Sequence, residues 1–124
     1  MSVIYDNDTK ADRMTATRDK VGGGALELLS ASDAVLASFT LTAAGGTVSG
    51  DVLTFAFDST SASGTTAAGT GTDATKAQIT DGTTARVTGL TVGTSAADVI
   101  VDNVSIAEGQ GVNLVGAQTI THAA

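Results

Sequence analysis

Cysteine, proline and tryptophan are absent from this chain of 124 residues, and only three phenylalanines and one tyrosine are present. The lack of cysteine excludes a disulfide scaffold, a thiolate zinc site and a cysteine nucleophile. Without proline, the turns must be made by glycine, asparagine, aspartate and serine. Large apolar side chains are too few for a thick core, and oligomerisation is a common remedy for a small core. We therefore expect self-association or docking onto a larger assembly.

Basic residues are also scarce, and they are unevenly placed. The chain has six Lys and Arg against 13 Asp and Glu, which gives a formal net charge of −7. The first 20 residues hold four of each sign, so all of the excess negative charge belongs to the rest of the chain. An acidic body repels phosphates and anionic lipids, so we expect neither a nucleic-acid nor a membrane partner. The N-terminus lacks a signal-peptide pattern, which predicts synthesis in the cytoplasm.

Threonine and alanine are the commonest residues, with 21 copies each, and glycine reaches 15. Threonine favours pleated surfaces, and a period of two runs through most of the chain after residue 25. That period places Val35, Ala37, Phe39 and Leu41 on a core face opposite Leu36, and it groups Leu53, Phe55 and Phe57 on another core face. The pattern predicts a mainly β fold: a small antiparallel β-sandwich or barrel of about eight short strands, preceded by a short N-terminal helix or arm. Asp81-Gly82 is the strongest hairpin signal.

The chain is predicted to be an N-terminal arm, residues 1–24, and a single β-domain, residues 25–124. In the arm, Asp8 or Thr9 is the expected helix cap, and Gly22-Gly23-Gly24 the expected stop and hinge. Two interpretations of the arm stay open. It is either a solvated helix that touches the body through Met14 and Val21, or an arm that packs on a neighbouring subunit. The residues predicted to make assembly contacts are Ile4, Tyr5, Arg13, Met14, Arg18 and Val21.

Residues 58–75, DSTSASGTTAAGTGTDAT, form the least regular stretch and contain no aliphatic side chain larger than alanine. Structureless loops of this length are uncommon within a compact domain. Because both flanks alternate in the same way, we interpret the stretch as a long internal loop of one domain, with an edge strand near residues 72–75. It is either a mobile surface loop or a loop that assembly orders.

No motif in the chain predicts catalysis or a cofactor. The single histidine, His122, lies two residues from the C-terminus, and no nucleophile elbow occurs. An EF-hand counted from Asp6 requires glycine where Ala11 stands and glutamate where Thr17 stands, so it fails. GTGTD, residues 69–73, is one isolated copy of a calcium β-roll fragment that binds only in tandem. We therefore expect no catalytic, cofactor-binding or metal-ligating residues, and no enzymatic activity.

The order of several phrases resembles a known group of proteins. IYDNDTKADRMTATRDKV, a glycine-rich break, LELL, GTVSGDVLTFAF, ITDG, GLTVGTSAADVIVDN and QTITHA follow one another along nearly the whole chain. Together they resemble small structural proteins of tailed bacteriophages and proteobacterial prophages. The resemblance implies a virion component, located in the particle, without catalytic or cofactor residues.

Three functional hypotheses follow from the residues and the resemblance. The first is a capsid decoration, or cement, protein that binds the major capsid protein or other virion proteins on the outer head lattice as a homo-trimer or homo-dimer. The second is a tail, neck or spike component of the virion. The third is a glycan-binding module for host recognition. It is disfavoured because Phe39, Phe55 and Phe57 lie at predicted core positions and only Tyr5 remains as an exposed ring.

Overall fold

The computed structural model describes residues 4–121, and it is mainly β with one N-terminal helix, as the period of two predicts. The helix is α1 (Asn7–Val21), and a single 3-10 turn spans Thr66–Ala68. The strands are β1 (Ala25–Leu29), β2 (Val35–Ser49), β3 (Val52–Phe57), β4 (Ser61–Ser63), β5 (Thr72–Asp73), β6 (Lys76–Thr80), β7 (Ala85–Gly93), β8 (Val99–Ile100), β9 (Ser105–Ile106), β10 (Gly111–Asn113) and β11 (Thr119–Thr121).

Seven strands form a nearly closed, barrel-like sheet in the order β11-β3-β2-β1-β6-β7-β8. Its neighbours are antiparallel except for β7 and β8, which pair in parallel through Val92 and Val99. Two small sheets, β10-β4 and β5-β9, complete the fold. The described residues hold eleven strands where about eight were expected. The additional strands are two or three residues long and form by pairing distant segments, so no local period reveals them.

The predicted core faces of β2 and β3 are buried. Phe39 and Leu41 of β2 and Leu53 and Phe55 of β3 all belong to one core cluster. Phe57 is half-buried and meets Phe39 edge to face, with ring centroids 6.4 Å apart. Such aromatic pairs contribute beyond the area they bury, which suits a core with few large side chains.

Leu36 departs from the predicted pattern, because it was assigned to the outer face of β2 and is fully buried. The residues that follow β4 lie over this part of the strand. The backbone N–H of Thr65 donates to the Leu36 carbonyl oxygen at 2.8 Å, and the Thr65 hydroxyl donates to the carbonyl oxygen of Val35. Both faces of β2 are therefore covered here, and alternation along one strand cannot predict a second covering layer.

A bulge in β7 changes the face of Leu90. Along the β6–β7 ladder, Ala77 pairs with Leu90 and Ile79 with Val87, so β7 contains one residue more than β6 in this interval. Gly89 sits in the bulge with φ of 79°, in the left-handed region that glycine adopts without strain. Simple alternation places Val87 and Leu90 on opposite faces, whereas the bulge lets both pack on the core.

Helix α1 begins two or three residues earlier than predicted. The cap is Asp6, whose carboxylate accepts a hydrogen bond from the Thr9 backbone N–H at 2.8 Å, so the assignment to Asp8 or Thr9 was wrong. The helix packs against β2 and β3, and Met14 and Val21 are its buried residues. In this arrangement α1 is a largely solvated helix that contacts its own body through these two side chains.

The glycine run after α1 makes close backbone contacts. A Cβ atom on Gly24 would overlap the carbonyl oxygen of Thr80, and one on Gly22 would overlap that of Ala43. Gly23 donates its N–H to the carbonyl oxygen of Thr42 at 2.8 Å, and Gly24 accepts from the Leu41 N–H at 2.9 Å. These hydrogen bonds hold the segment against β2. A side chain at Gly22 would push the segment away from β2, and one at Gly24 would push it away from β6.

The Gly24→Ala substitution tests this contact. We expect it to lower the free energy of unfolding by about 2–3 kcal/mol, because the backbone of β6 must shift to admit a methyl group. Urea unfolding measures the change. Gly111→Ala is the matched control, since a Cβ there meets no atom within 4 Å. Equal stabilities for the two variants would contradict the close contact.

Candidate functional site

A small cavity lies inside the barrel, near the line where β8 approaches β11. Its lining is almost entirely apolar and includes Leu26, Phe55, Leu90 and Ile120, with Gln118 on one side. The volume is about 10 Å³, which admits about one water molecule. Sites for small organic ligands measure about 300–1,000 Å³. This cavity is therefore a packing defect and does not have the size of a substrate pocket.

Gln118 joins the two edges of the barrel-like sheet. Its side chain is almost completely buried, and its Oε1 accepts a hydrogen bond from the Ile100 N–H of β8 at 2.9 Å. Its Nε2 donates to the carbonyl oxygen of Val115 at 3.0 Å, while its backbone carbonyl accepts from the Phe55 N–H of β3 at 2.9 Å. The side-chain amide thus takes the place of a backbone hydrogen bond between β8 and β11, the two edge strands, which do not pair with each other. Sequence reasoning missed this residue, because a single glutamine before a short strand carries no distinguishing pattern.

Metal-ligating clusters and unpartnered buried polar atoms are both lacking among the described residues. Across residues 4–121, no group of three or more His, Asp or Glu side chains is placed to hold a metal ion. Within the same range, every buried polar side-chain atom has a hydrogen-bond partner. His122 lies outside the described residues. No helix of the described part is long and apolar enough to cross a membrane.

The six predicted assembly residues fall into two groups. Met14 and Val21 are 4% and 0% exposed and belong to the core of their own chain. Ile4, by contrast, is 79% exposed, and the Arg13 guanidinium lies 4.4 Å from the centre of the Tyr5 ring in a cation–π contact. Arg18 pairs with Asp19 on the surface of the helix. Only the second group is accessible to a partner while α1 stays docked.

Among residues 4–121, the Lys and Arg side chains without a carboxylate partner all belong to α1. In the body, Lys76 pairs with Asp33, and Arg86 pairs with Asp81 at 2.9 Å. Lys10, Arg13 and Lys20 form no ion pair with any described residue. The second half of the helix, residues 13–21, has three basic side chains and one acidic side chain. We call this half-helix the basic half of α1.

Residues 58–75, predicted to be a long internal loop, are folded against residues 102–114. β4 pairs with β10, and β5 pairs with β9. Between these ladders, Gly64 donates its N–H to the Gln110 carbonyl oxygen and Glu108 donates to that of Gly69, both at 2.8 Å. The segment is thus ordered within its own chain. Sequence reasoning missed the pairing because the partner residues are about 40 positions away.

The two paired segments form one acidic surface. Residues 58–75 and 102–113, which we call the acidic lobe, contain four acidic residues and no lysine or arginine. Asp58, Asp73, Asp102 and Glu108 are all exposed. The side-chain amide and backbone N–H of Asn113 donate to the Asp102 carboxylate and lower its pKa, which keeps it ionised. The sequence shows that each of these two segments lacks basic residues. Only the fold shows that the two segments lie side by side and form one acidic surface.

The end of the acidic lobe that holds Asp73 lies at the far end of β1 from α1, whereas Asp58 lies near the α1 end, because its N–H donates to the carbonyl oxygen of Thr40, the partner of Ala25. At the α1 end, Gly24 links α1 to Ala25, and at the far end the Thr75 N–H donates to the Leu29 carbonyl oxygen at 3.0 Å. A strand of this length spans about 16 Å. The screening length at physiological ionic strength is about 8 Å. Charges at the Asp73 end of the lobe therefore interact weakly with charges near Gly24, and no ion pair joins the basic half of α1 to the lobe among residues 4–121.

The turn between β6 and β7 is built around Asp81, where the Asp81-Gly82 dipeptide predicted a hairpin. The Asp81 carboxylate accepts hydrogen bonds from the N–H groups of Thr84 and Thr83, at 2.8 and 3.0 Å, and from the Arg86 guanidinium at 2.9 Å. The backbone donors, followed by the guanidinium, hold the pKa of this carboxyl well below the usual aspartate range. This prediction is confirmed, since residues 81–84 join two antiparallel strands.

Comparisons with protein families, with curated proteins and with solved structures yield no match to this chain. Function must therefore be argued from the molecule's own cavity, contacts and charges. A fold by itself does not determine function.

Replacing Gln118 with alanine tests the side-chain bridge. We expect Gln118→Ala to lower the free energy of unfolding by about 2–4 kcal/mol, because the Ile100 N–H and the Val115 carbonyl lose a buried partner. Gln78→Ala is a suitable control, since that half-buried amide bonds only to the Glu27 carboxylate. Urea unfolding compares the two variants. If Gln78→Ala proved as costly as Gln118→Ala, the bridging role of Gln118 would be wrong.

The stability of the Asp81 turn should depend on pH. Because folding lowers the pKa of Asp81, its carboxylate stabilises the native state above the unfolded pKa of about 4, and this contribution disappears as pH falls below that value. We expect Asp81→Asn to be less stable than the natural protein at pH 7, with the difference shrinking between pH 4 and about pH 2. Unfolding curves across this range measure the difference. A pH-independent difference would contradict the role of the ionised carboxylate.

Proposed function

We propose that this protein is a non-enzymatic structural protein of a bacteriophage virion, and specifically a capsid decoration protein. It binds the outer head lattice through the major capsid protein, as a small homo-oligomer. The observation that carries the proposal is the packed interior, whose cavity of about 10 Å³ leaves no room for a substrate. A protein of this kind acts through its surface and its copy number.

The features of the surface support the same proposal. The body is acidic and its two cations are already paired, so it repels nucleic acid and leaves charged side chains of α1 and the acidic lobe available for protein contacts. Ile4 is exposed beside α1, where the predicted assembly residues cluster. The resemblance of the sequence phrases to small virion proteins points in the same direction.

Quantitative mass spectrometry of purified particles, combined with cryo-EM of the heads, tests the proposal. We expect hundreds of copies per particle and density for the β-body on the outer lattice, in register with the capsid symmetry. Heads that lack the protein should lose their DNA at lower temperature or under weaker osmotic shock. The control is the same particles after the purified protein is added back.

Other outcomes would replace the proposal. About a dozen copies or fewer, placed at the neck or tail, would indicate a tail, neck or spike component. A specific hit on a glycan array would indicate a host-recognition module. Absence from purified particles would reject a virion role altogether.

A further inference from the structure

This molecule carries two surfaces of opposite charge, and most of their charged side chains form no ion pair with any described residue. One is the basic half of α1, and the other is the acidic lobe. We infer that these surfaces bind each other between copies, so that α1 of one molecule docks head to tail on the acidic lobe of a second molecule. This contact deepens the proposed function, because it assigns the homo-oligomer a specific interface.

The first argument is that one molecule cannot neutralise its own charges. The point where α1 joins β1 and the Asp73 end of the acidic lobe are separated by the length of β1, about 16 Å, or two screening lengths at physiological ionic strength. Arg13 and Lys20 are exposed on the basic half of α1, Asp73 and Glu108 are exposed on the lobe, and none of the four forms an ion pair with a described residue. A second copy of this chain carries both surfaces and is present wherever the protein is, so it is the partner that we assign.

The second argument is that α1 is held in place before any partner binds. Met14 and Val21 are buried in the core, and the glycine run behind them is in close contact with β2 and β6. Arg13 is further oriented by its contact with the Tyr5 ring. A preorganised cationic surface loses little conformational entropy when it docks, which favours binding.

The third argument is that the acidic lobe presents nothing that repels a cationic helix. It contains no lysine or arginine, and two short sheets hold its carboxylates on an ordered backbone. Asp102 is kept ionised by its hydrogen bonds to Asn113. By comparison, the α1 surface of a second copy includes Asp8 and Asp12 near its N-terminus, so docking must involve the basic half.

The predicted contact is heterologous, since it joins two different surfaces. Repetition of one heterologous contact produces a closed ring when the rotation per step closes, and an open filament when it does not. A ring of a few copies would give each molecule one occupied helix and one occupied lobe, without any unpaired end.

Sedimentation equilibrium of the purified protein at two salt concentrations is the first test. At about 0.01 M salt we expect a concentration-dependent mass above the monomer mass of 12.1 kDa, and at about 1 M salt we expect the monomer, because screening then acts within about 3 Å. A monomer under both conditions, or an oligomer that salt does not weaken, would overturn the inference.

Charge-reversal variants are the second test. Arg13→Glu with Lys20→Glu, and separately Asp73→Lys with Glu108→Lys, should each weaken self-association at about 0.01 M salt by about tenfold. An equimolar mixture of the two double variants should recover the association, because a reversed helix then meets a reversed lobe. Failure of the mixture to recover would overturn the pairing of these two surfaces.

A control separates this contact from the effect of net charge. Asp51→Lys with Glu27→Lys changes the net charge as much as Asp73→Lys with Glu108→Lys, at positions outside both surfaces. It should leave self-association intact, and equal weakening would overturn the inference. Circular dichroism verifies that each variant is folded.

Failure of this inference can be distinguished from failure of the proposed function. Particle composition and cryo-EM test the place in the virion, whereas sedimentation uses the purified chain alone. If Arg13→Glu with Lys20→Glu lost head binding while the natural protein was a monomer at both salt concentrations, the basic half of α1 would bind the capsid lattice and the head-to-tail contact would be wrong.

Discussion

The pairing of residues 58–75 with residues 102–114 is the contact on which the rest of this structure depends. Two short ladders and the hydrogen bonds between them turn a threonine- and glycine-rich stretch into an ordered layer. This layer lies along the first part of β2, where Leu36 is fully buried. It also brings together four carboxylates from two distant parts of the chain. The small side chains of residues 58–75 suit this role, because they let backbone approach backbone closely.

A core with few large side chains is completed by polar and backbone contacts. Gln118 bridges the edges of the barrel-like sheet with its amide, and the glycines after α1 allow the helix to approach β2 and β6 directly. These contacts seal the interior and leave a cavity of about one water molecule. On the surface, basic side chains are concentrated on the second half of α1 and carboxylates on the acidic lobe.

Much of the fold could be predicted from the sequence, and the errors share one physical cause. Period-two alternation placed Phe39, Leu41, Leu53 and Phe55 in the core, and Asp81-Gly82 predicted the β6–β7 turn. The burial of Leu36 and Leu90 and the pairing partners of residues 58–75 were missed because they depend on a second layer, a bulge and long-range pairing, whereas the edge strand expected near residues 72–75 is present as β5. For the candidate site, the sequence pointed to the N-terminal arm as an assembly surface, but Met14 and Val21 are buried in the core of their own chain.

The sequence alone determined the mainly β class, the single helix and the unequal distribution of charge, because local periodicity, turn chemistry and composition are properties of neighbouring residues. Tertiary structure alone decided that the acidic residues of two separated segments form one lobe and that this lobe lies along the first part of β2. It also decided that Gln118 closes the sheet. These features are contacts between residues far apart in the chain, and the free energy that selects them comes from packing and hydrogen bonds that no local pattern encodes.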